Sequence, residues 1–345
     1  MRKFSEAEKQ LLIATGWLKS RYGLMSGFDA ESAANAENLR KFGEIWFGKY
    51  LVDWSGAFQS LIDEGYLSET SGVFALTEKG NRARKEVETE SPLWLYEYDN
   101  FFGAAINSPA HALFCEQVYG ANLCQHGLAD VFQLNKLLEV LRLKPGERVL
   151  DLGCGNGFIT EYLQGETGAF FHGVDISAEA VRQAQARTAN KERLAFSVGN
   201  MNRLTFEPPP EVFDCAVSID TLYYVDNLEE TLKQTVSLLR KPGGRMGIFF
   251  TQWIVNPEDR ENLLPENTDL AKLLKKRNLE FSAFDLTRNE AEHWRKKVEV
   301  LEELKPQFEA EGNLNLYNYR YTEAARYAGW DLSTRSRYLY HIRLS

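Results

Sequence analysis

One segment constrains this chain more than any other: Val149-Leu150-Asp151-Leu152-Gly153-Cys154-Gly155-Asn156-Gly157. Its first residues suit a strand buried on both faces, and residues 158–164 continue as a helix. Glycines let the main chain turn tightly and approach a ligand where a Cβ would stand. The helix start then offers free N–H groups. Dinucleotide sites use similar glycines, but the spacing here is G-x-G-x-G, with Asp151 two residues ahead of the first glycine.

A second acid fits the same ligand class. Asp175 closes Gly173-Val174-Asp175, 22 positions after Gly153, where a carboxylate can accept both hydroxyls of a ribose. Asp175-Ile176-Ser177 also suits the cap of a helix over 178–189, and the two roles are compatible.

From Val131 onward, strands alternate with helices, the mark of an α/β fold with a parallel sheet covered on both faces. An amphipathic helix over 131–143 stops at Lys144-Pro145-Gly146. Strands are expected at 148–152, 170–174, 194–198, 212–218 and 245–251. A helix over 269–276, a strand at 279–286, helices over 288–311 and 316–329 and a last strand at 337–344 complete the pattern.

A length of 345 residues points to more than one compact unit. Residues 1–90 end in helix, hairpin, helix, the order of a winged-helix-like domain. The helix over 54–64 contains no Lys or Arg, and residues 1–90 hold 12 basic against 14 acidic side chains. Groove binding draws its affinity from cations, so dimerisation or walling of an active site suits this unit better than DNA binding. Residues 91–130 form an aromatic-rich helical connector, and residues 131–345 form the α/β domain.

The formal net charge of −9 argues against a broad nucleic-acid surface. No apolar run is long enough for a membrane span and the N-terminus lacks a signal-peptide core, so the expected location is cytoplasmic. Cys115, Cys124, Cys154 and Cys215 lack metal-ligand spacing and read as reduced, small core residues, with no metal site.

The set VLDLGCGNG, GVDIS, VGNMNRLTF and FDCAVSIDTLYYVDNLEETLKQTVSLLRKPGGRMGI resembles the class I S-adenosylmethionine-dependent methyltransferases over about residues 131–255. The resemblance implies a Rossmann-like seven-stranded sheet with a reversed final hairpin. It places the cofactor's methionine end near Gly153, Cys154, Gly155 and Gly157, its ribose on Asp175, and its adenine beside Ile176, Asn200 and Met201. Many relatives carry Asp where this chain has Asn200; an amide still offers the adenine an acceptor and a donor. The run Pro208-Pro209-Pro210 reads as an unusual loop in that region.

Further candidates follow from the same resemblance. Ser218-Ile219-Asp220-Thr221-Leu222-Tyr223-Tyr224-Val225 would line the gap between sulfonium and acceptor, making Tyr223 and Tyr224 candidates to orient the acceptor or take its proton; one of the pair should pack on the helix over 228–239. The segment from Tyr119 to Asp130 resembles an arm lying over the cofactor, with Gln125 and His126 facing the methionine end or the acceptor. His126, titrating in a useful range, is a candidate base or a structural histidine. Asp285 ends the sixth strand and either contacts the acceptor or caps the following helix. Residues 288–329, with Trp294, Tyr317, Tyr319 and Tyr321, form a substrate cap.

The implied function is methyl transfer to a small organic metabolite by in-line displacement, with N-, O- and C-acceptors all open. A ligand-responsive regulator and a cofactor-binding pseudoenzyme remain alternatives. No Asn/Asp-Pro-Pro-Tyr/Phe base-methylating motif follows the fourth strand.

Overall fold

A computed structural model describes residues 2–20, 28, 31–189, 191–206, 212–329 and 331–344; the Pro208–Pro210 run lies outside them. The chain divides into two compact units, residues 1–101 and 102–345.

In the first unit, α1 (Glu6–Trp17), α2 (Ala36–Trp46), α3 (Ser55–Asp63) and α4 (Glu78–Glu90) enclose one apolar cluster that includes Leu11, Phe42, Phe47, Trp54 and Leu61. Ser5 and Glu8 form a reciprocal capping box that starts α1. Between α3 and α4 lies the expected hairpin, β1 (Leu67–Thr70) and β2 (Val73–Leu76), paired antiparallel. Its turn is Ser71-Gly72, both at positive φ, as a two-residue hairpin turn requires.

Two helices, α5 (Leu93–Ala105) and α6 (Pro109–Tyr119), precede the sheet region of the second unit. Then follow α7 (Val131–Leu141), β3 (Arg148–Leu152), α8 (Phe158–Thr167), β4 (Phe170–Asp175), α9 (Ala178–Thr188), β5 (Leu194–Val198), β6 (Cys215–Ile219), α10 (Leu228–Ser237), β7 (Arg245–Trp253), α11 (Asp269–Lys276), β8 (Glu280–Asp285), α12 (Thr287–Ala310), α13 (Leu314–Ala328) and β9 (Arg335–Arg343). The seven strands run in the order β5-β4-β3-β6-β7-β9-β8. Neighbours from β5 to β7 are parallel, and β9 is antiparallel to both β7 and β8.

The sheet has a core on each face. Leu150 and Leu152 pack with Ala216, Met246, Ile248 and Leu232, whereas Val149 packs with Phe171, Val217, Leu137 and Leu163 on the other side. This alternation follows from side chains pointing to opposite faces at successive residues. Strand order reverses between β3 and β6. In open α/β sheets, that switch point opens the crevice in which ligands bind.

Two sequence expectations need correction. The fourth α/β strand begins at Cys215 rather than Val212, because Phe213 bridges to Leu239 and the Asp214 carboxylate accepts from the Arg148 N–H at 2.9 Å. The helix expected over 131–143 ends at Leu141, where Arg142 turns left-handed at φ +48. Among the described residues, no helix is long and apolar enough to cross a membrane.

Candidate active site

The loop between β3 and α8 holds its three glycines at φ +75, +55 and +79. A Cβ on Gly153 would come within 2.3 Å of the Thr221 methyl, and one on Gly155 within 2.9 Å of the Phe102 ring. The glycines are therefore required twice, by backbone conformation and by close approach.

The Asp175 carboxylate accepts hydrogen bonds from the Gly155 N–H and the Ser177 N–H, both at 2.8 Å, tying the end of β4 to the glycine loop. Ser177 itself caps α9 through the Ala180 N–H. Ile176, Asn200 and Met201 are half-buried, and the Asn200 side-chain oxygen accepts from the Asn202 N–H at 2.9 Å.

Asp151 is buried. One carboxylate oxygen accepts from Thr160 at 2.6 Å, and the other, Oδ1, has no partner. Burial first, then the negative charge of Asp175, pushes its pKa up to about 7, against the lowering effect of the Thr160 hydroxyl. An ammonium brought beside Oδ1 would restore the ionised form.

The segment from residue 121 to 130 is held by side chains of several elements. Tyr119 donates to Gly127 O at 2.9 Å, and Lys297 donates to the same carbonyl at 3.2 Å. Arg320 donates to His126 O at 2.9 Å and to the Tyr119 hydroxyl at 2.7 Å. Asp220 accepts from the Leu128 N–H at 2.8 Å and forms a buried ion pair with Arg337. Gln125 is buried, its Oε1 accepts from the Leu123 N–H, and its Nε2 has no partner.

This geometry coincides with what similarity to other proteins shows. A model of the methyltransferase domain matches residues 143–249. A methyltransferase of Penicillium fellutanum is 29% identical over 154 residues, covering 41% of this chain and 47% of that protein. Phosphoethanolamine N-methyltransferase 1 of Zea mays is 30% identical over 132 residues, covering 38% of this chain and 25% of that protein. The matched stretch thus spans less than half of either relative's length. Haemonchus contortus phosphoethanolamine N-methyltransferase 2, solved with phosphomonomethylethanolamine and S-adenosylhomocysteine, shares the fold. Its TM-score is 0.58 at 19% identity, over 72% of this chain and 60% of that one.

Residues 143–249 carry a methyltransferase domain, and S-adenosylmethionine is the cofactor of such domains.

Within the methyltransferase domain, the structure redistributes several expected roles. Asp220 and Tyr119 are engaged by the protein itself. Asp220, at φ +61, holds Arg337 and the Leu128 N–H, and the Tyr119 hydroxyl sits between Gly127 O and Arg320. Asp285 is exposed and accepts from the Thr287 N–H at 2.8 Å, so it turns the chain into α12 and lies on the edge strand.

His126 does not titrate in the ordinary range. Burial, then the charges of Arg320 and Lys297, depress it well below that range. It is therefore an uncharged imidazole at neutral pH, with Nε2 set 2.5 Å from the Tyr319 hydroxyl. Tyr223 is shifted the opposite way, well above the ordinary phenol range, by burial and by Asp220. It keeps its proton and can orient an acceptor, but it is no phenolate base. Tyr223 packs 4.9 Å from the Tyr224 ring and 5.4 Å from the half-exposed Trp253 ring.

The sequence reading missed Phe102, Lys297, Arg320 and Arg337, and named Thr221 only as part of the segment that ends β6. Thr221 donates to Leu152 O at 2.7 Å and fills the space beside Gly153. Lys297 is buried against the faces of Trp294 and Tyr119, at 4.0 and 5.4 Å, and its pKa falls to about 7, chiefly through burial. Only the amphipathic spacing of α12 and α13 hinted at an inward face. Buried cations on such a face are indistinguishable in sequence from solvated ones.

Proposed function

We propose that this chain is an S-adenosylmethionine-dependent methyltransferase acting on a small organic metabolite. The observation that carries this reading is two unmatched buried atoms, one on the strand that leads into the glycine loop and one on the arm of residues 121–130. Asp151 Oδ1 lacks a donor and Gln125 Nε2 lacks an acceptor. Buried polar groups left unpaired are costly, and an amino-acid ligand end satisfies both: its ammonium on Asp151 and its carboxylate on Gln125. Asp175, half-buried at the end of β4, suits the ribose, and Ile176, Asn200 and Met201 suit the base. When bound, S-adenosylmethionine supplies a methyl group already activated on sulfur.

The residues then have little bond-making to do. The arm from 121 to 130 and the glycine loop exclude water and fix the line of attack. Tyr223 and Tyr224 border the acceptor's side at the end of β6. Tyr223, kept protonated, donates a hydrogen bond to the acceptor, and His126, kept neutral by burial and the nearby cations, accepts one without taking the proton. For the first unit we assign protein contact, such as a homodimer, because α3 carries no basic residue.

The direct test uses methyl-labelled S-adenosylmethionine and a fractionated pool of small metabolites. Label appearing in a low-molecular-mass product, with S-adenosylhomocysteine formed in equal amount, supports the reading. Label appearing only in nucleic acid or protein overturns the substrate class.

A further inference from the structure

The hydrogen bonds around Gln125 converge on a residue outside every motif. Arg320, on α13, is 1% exposed. Its guanidinium lies over the Phe114 ring at 5.1 Å and donates to the Tyr119 hydroxyl at 2.7 Å, His126 O at 2.9 Å and Gln125 O at 3.4 Å. Glu323, its acidic neighbour one turn on, stands 3.8 Å away.

A guanidinium taken wholly out of water is costly unless its donors are used, and here they are used on the arm's main chain. A planar fork can hold consecutive carbonyls at once; an ammonium is a single point of attachment. The other ties flank the same stretch: Tyr119 and Lys297 at Gly127, Asp220 at Leu128. Cys124 turns left-handed at φ +48 just before Gln125. Among the buried side-chain atoms of this arm, Gln125 Nε2 is the one left without a partner.

We propose that Arg320 is a positioning residue that fixes the main chain at Gln125 and His126, so that the Gln125 amide is held ready for the carboxylate of the cofactor's amino-acid end. The inference rests on the methyltransferase reading of the glycine loop. It extends that site to a residue on α13.

Because Arg320 acts through Gln125, the two residues must fail together. The test measures S-adenosylhomocysteine affinity by calorimetry for the unaltered chain, Gln125→Leu, Arg320→Lys and the double variant, with adenosine as a second probe. Each single change should weaken S-adenosylhomocysteine binding about tenfold, the scale of one hydrogen bond to a charged group. The double variant should be no weaker than about tenfold, since coupled residues are not additive. Adenosine, which lacks the amino-acid end, should bind all four forms alike.

Additive losses of about a hundredfold overturn the proposal, as does an unchanged Arg320→Lys or an equal loss for adenosine. If Arg320→Lys does not fold, Tyr119→Phe takes its place in the same cycle, since that hydroxyl anchors the guanidinium and Gly127 O. Failure of the unaltered chain to bind any adenosyl nucleoside overturns the methyltransferase reading instead. Nucleoside binding by the unaltered chain that is indifferent to Gln125→Leu overturns this inference and the carboxylate role of Gln125, and leaves the Asp151 and Asp175 assignments standing.

Discussion

Asp220 and Arg337 form an ion pair sealed beneath the carboxyl edge of the sheet, joining the turn after β6 to the last strand. The same carboxylate holds the Leu128 N–H, and the same guanidinium donates to Gln133 Oε1 at 3.1 Å. Gln133 Nε2 in turn donates to Leu128 O at 3.0 Å. Sheet and arm are thus fastened through one charged pair.

Breaking that pair should be expensive. Asp220→Asn leaves a buried guanidinium uncompensated and should destabilise the second unit by about 3 kcal/mol. Denaturant unfolding followed by circular dichroism measures this. A change under about 0.5 kcal/mol, the range of an ordinary surface substitution, would mean that the pair is not sealed as described.

Gly153→Ala should cost about 1–3 kcal/mol through its left-handed backbone alone, with the Thr221 methyl adding a clash at 2.3 Å. Combining it with Thr221→Ser removes the methyl but keeps the hydroxyl that donates to Leu152 O. Denaturation midpoints should therefore show partial recovery in the double variant. Full recovery would place the whole cost in the clash and none in the backbone.

Acid should unfold this protein early. His111, His126 and His293 are all held well below the ordinary histidine range, mainly by burial, so the native state resists protonation where the unfolded chain accepts it. Stability is then lost as pH falls through about 6.5, at about 1.4 kcal/mol per pH unit for each group. Asp151, raised to about 7, binds a proton in the native state over part of this window and offsets one histidine. Melting temperatures between pH 5 and 7 should fall steadily on acidification; a flat profile would contradict the burial of these imidazoles.

Much of the fold was legible because central parallel strands are apolar on both faces: the runs around Leu150, Val174 and Val217 admit few alternatives. The glycine loop was legible for a related reason, since only glycine tolerates the φ of residues 153, 155 and 157 beside Thr221 and Phe102. The site's second layer was not. Arg320, Lys297 and Arg337 are charged residues on a helix or strand, which a pattern of alternating polarity places in solvent. The burial of Arg320 and Lys297 depends on carbonyls of residues 125–127, and that of Arg337 on the Asp220 carboxylate and the Gln133 amide, and no local spacing encodes that. Asp220 was visible as a residue at the sheet's ligand edge, but its commitment to Arg337, more than a hundred residues later, was not.

Tyr223→Phe should lower turnover with any accepted substrate while leaving S-adenosylhomocysteine affinity within about twofold, if its hydroxyl serves the acceptor as proposed. Since Tyr223 keeps its proton, the rate should show no alkaline rise attributable to it. Equal losses in turnover and in nucleoside affinity would move Tyr223 to the cofactor's side.

The most direct measurement is calorimetric titration of the purified chain with S-adenosylhomocysteine, repeated on Asp175→Ala. The unaltered chain should bind one nucleoside, and the variant, still folded, should bind it about a hundredfold more weakly as two hydroxyl contacts to a carboxylate are lost. Equal affinity in both proteins, or preferential uptake of a nicotinamide dinucleotide, would contradict the assignment of the glycine loop and Asp175 to an adenosyl sulfonium ligand.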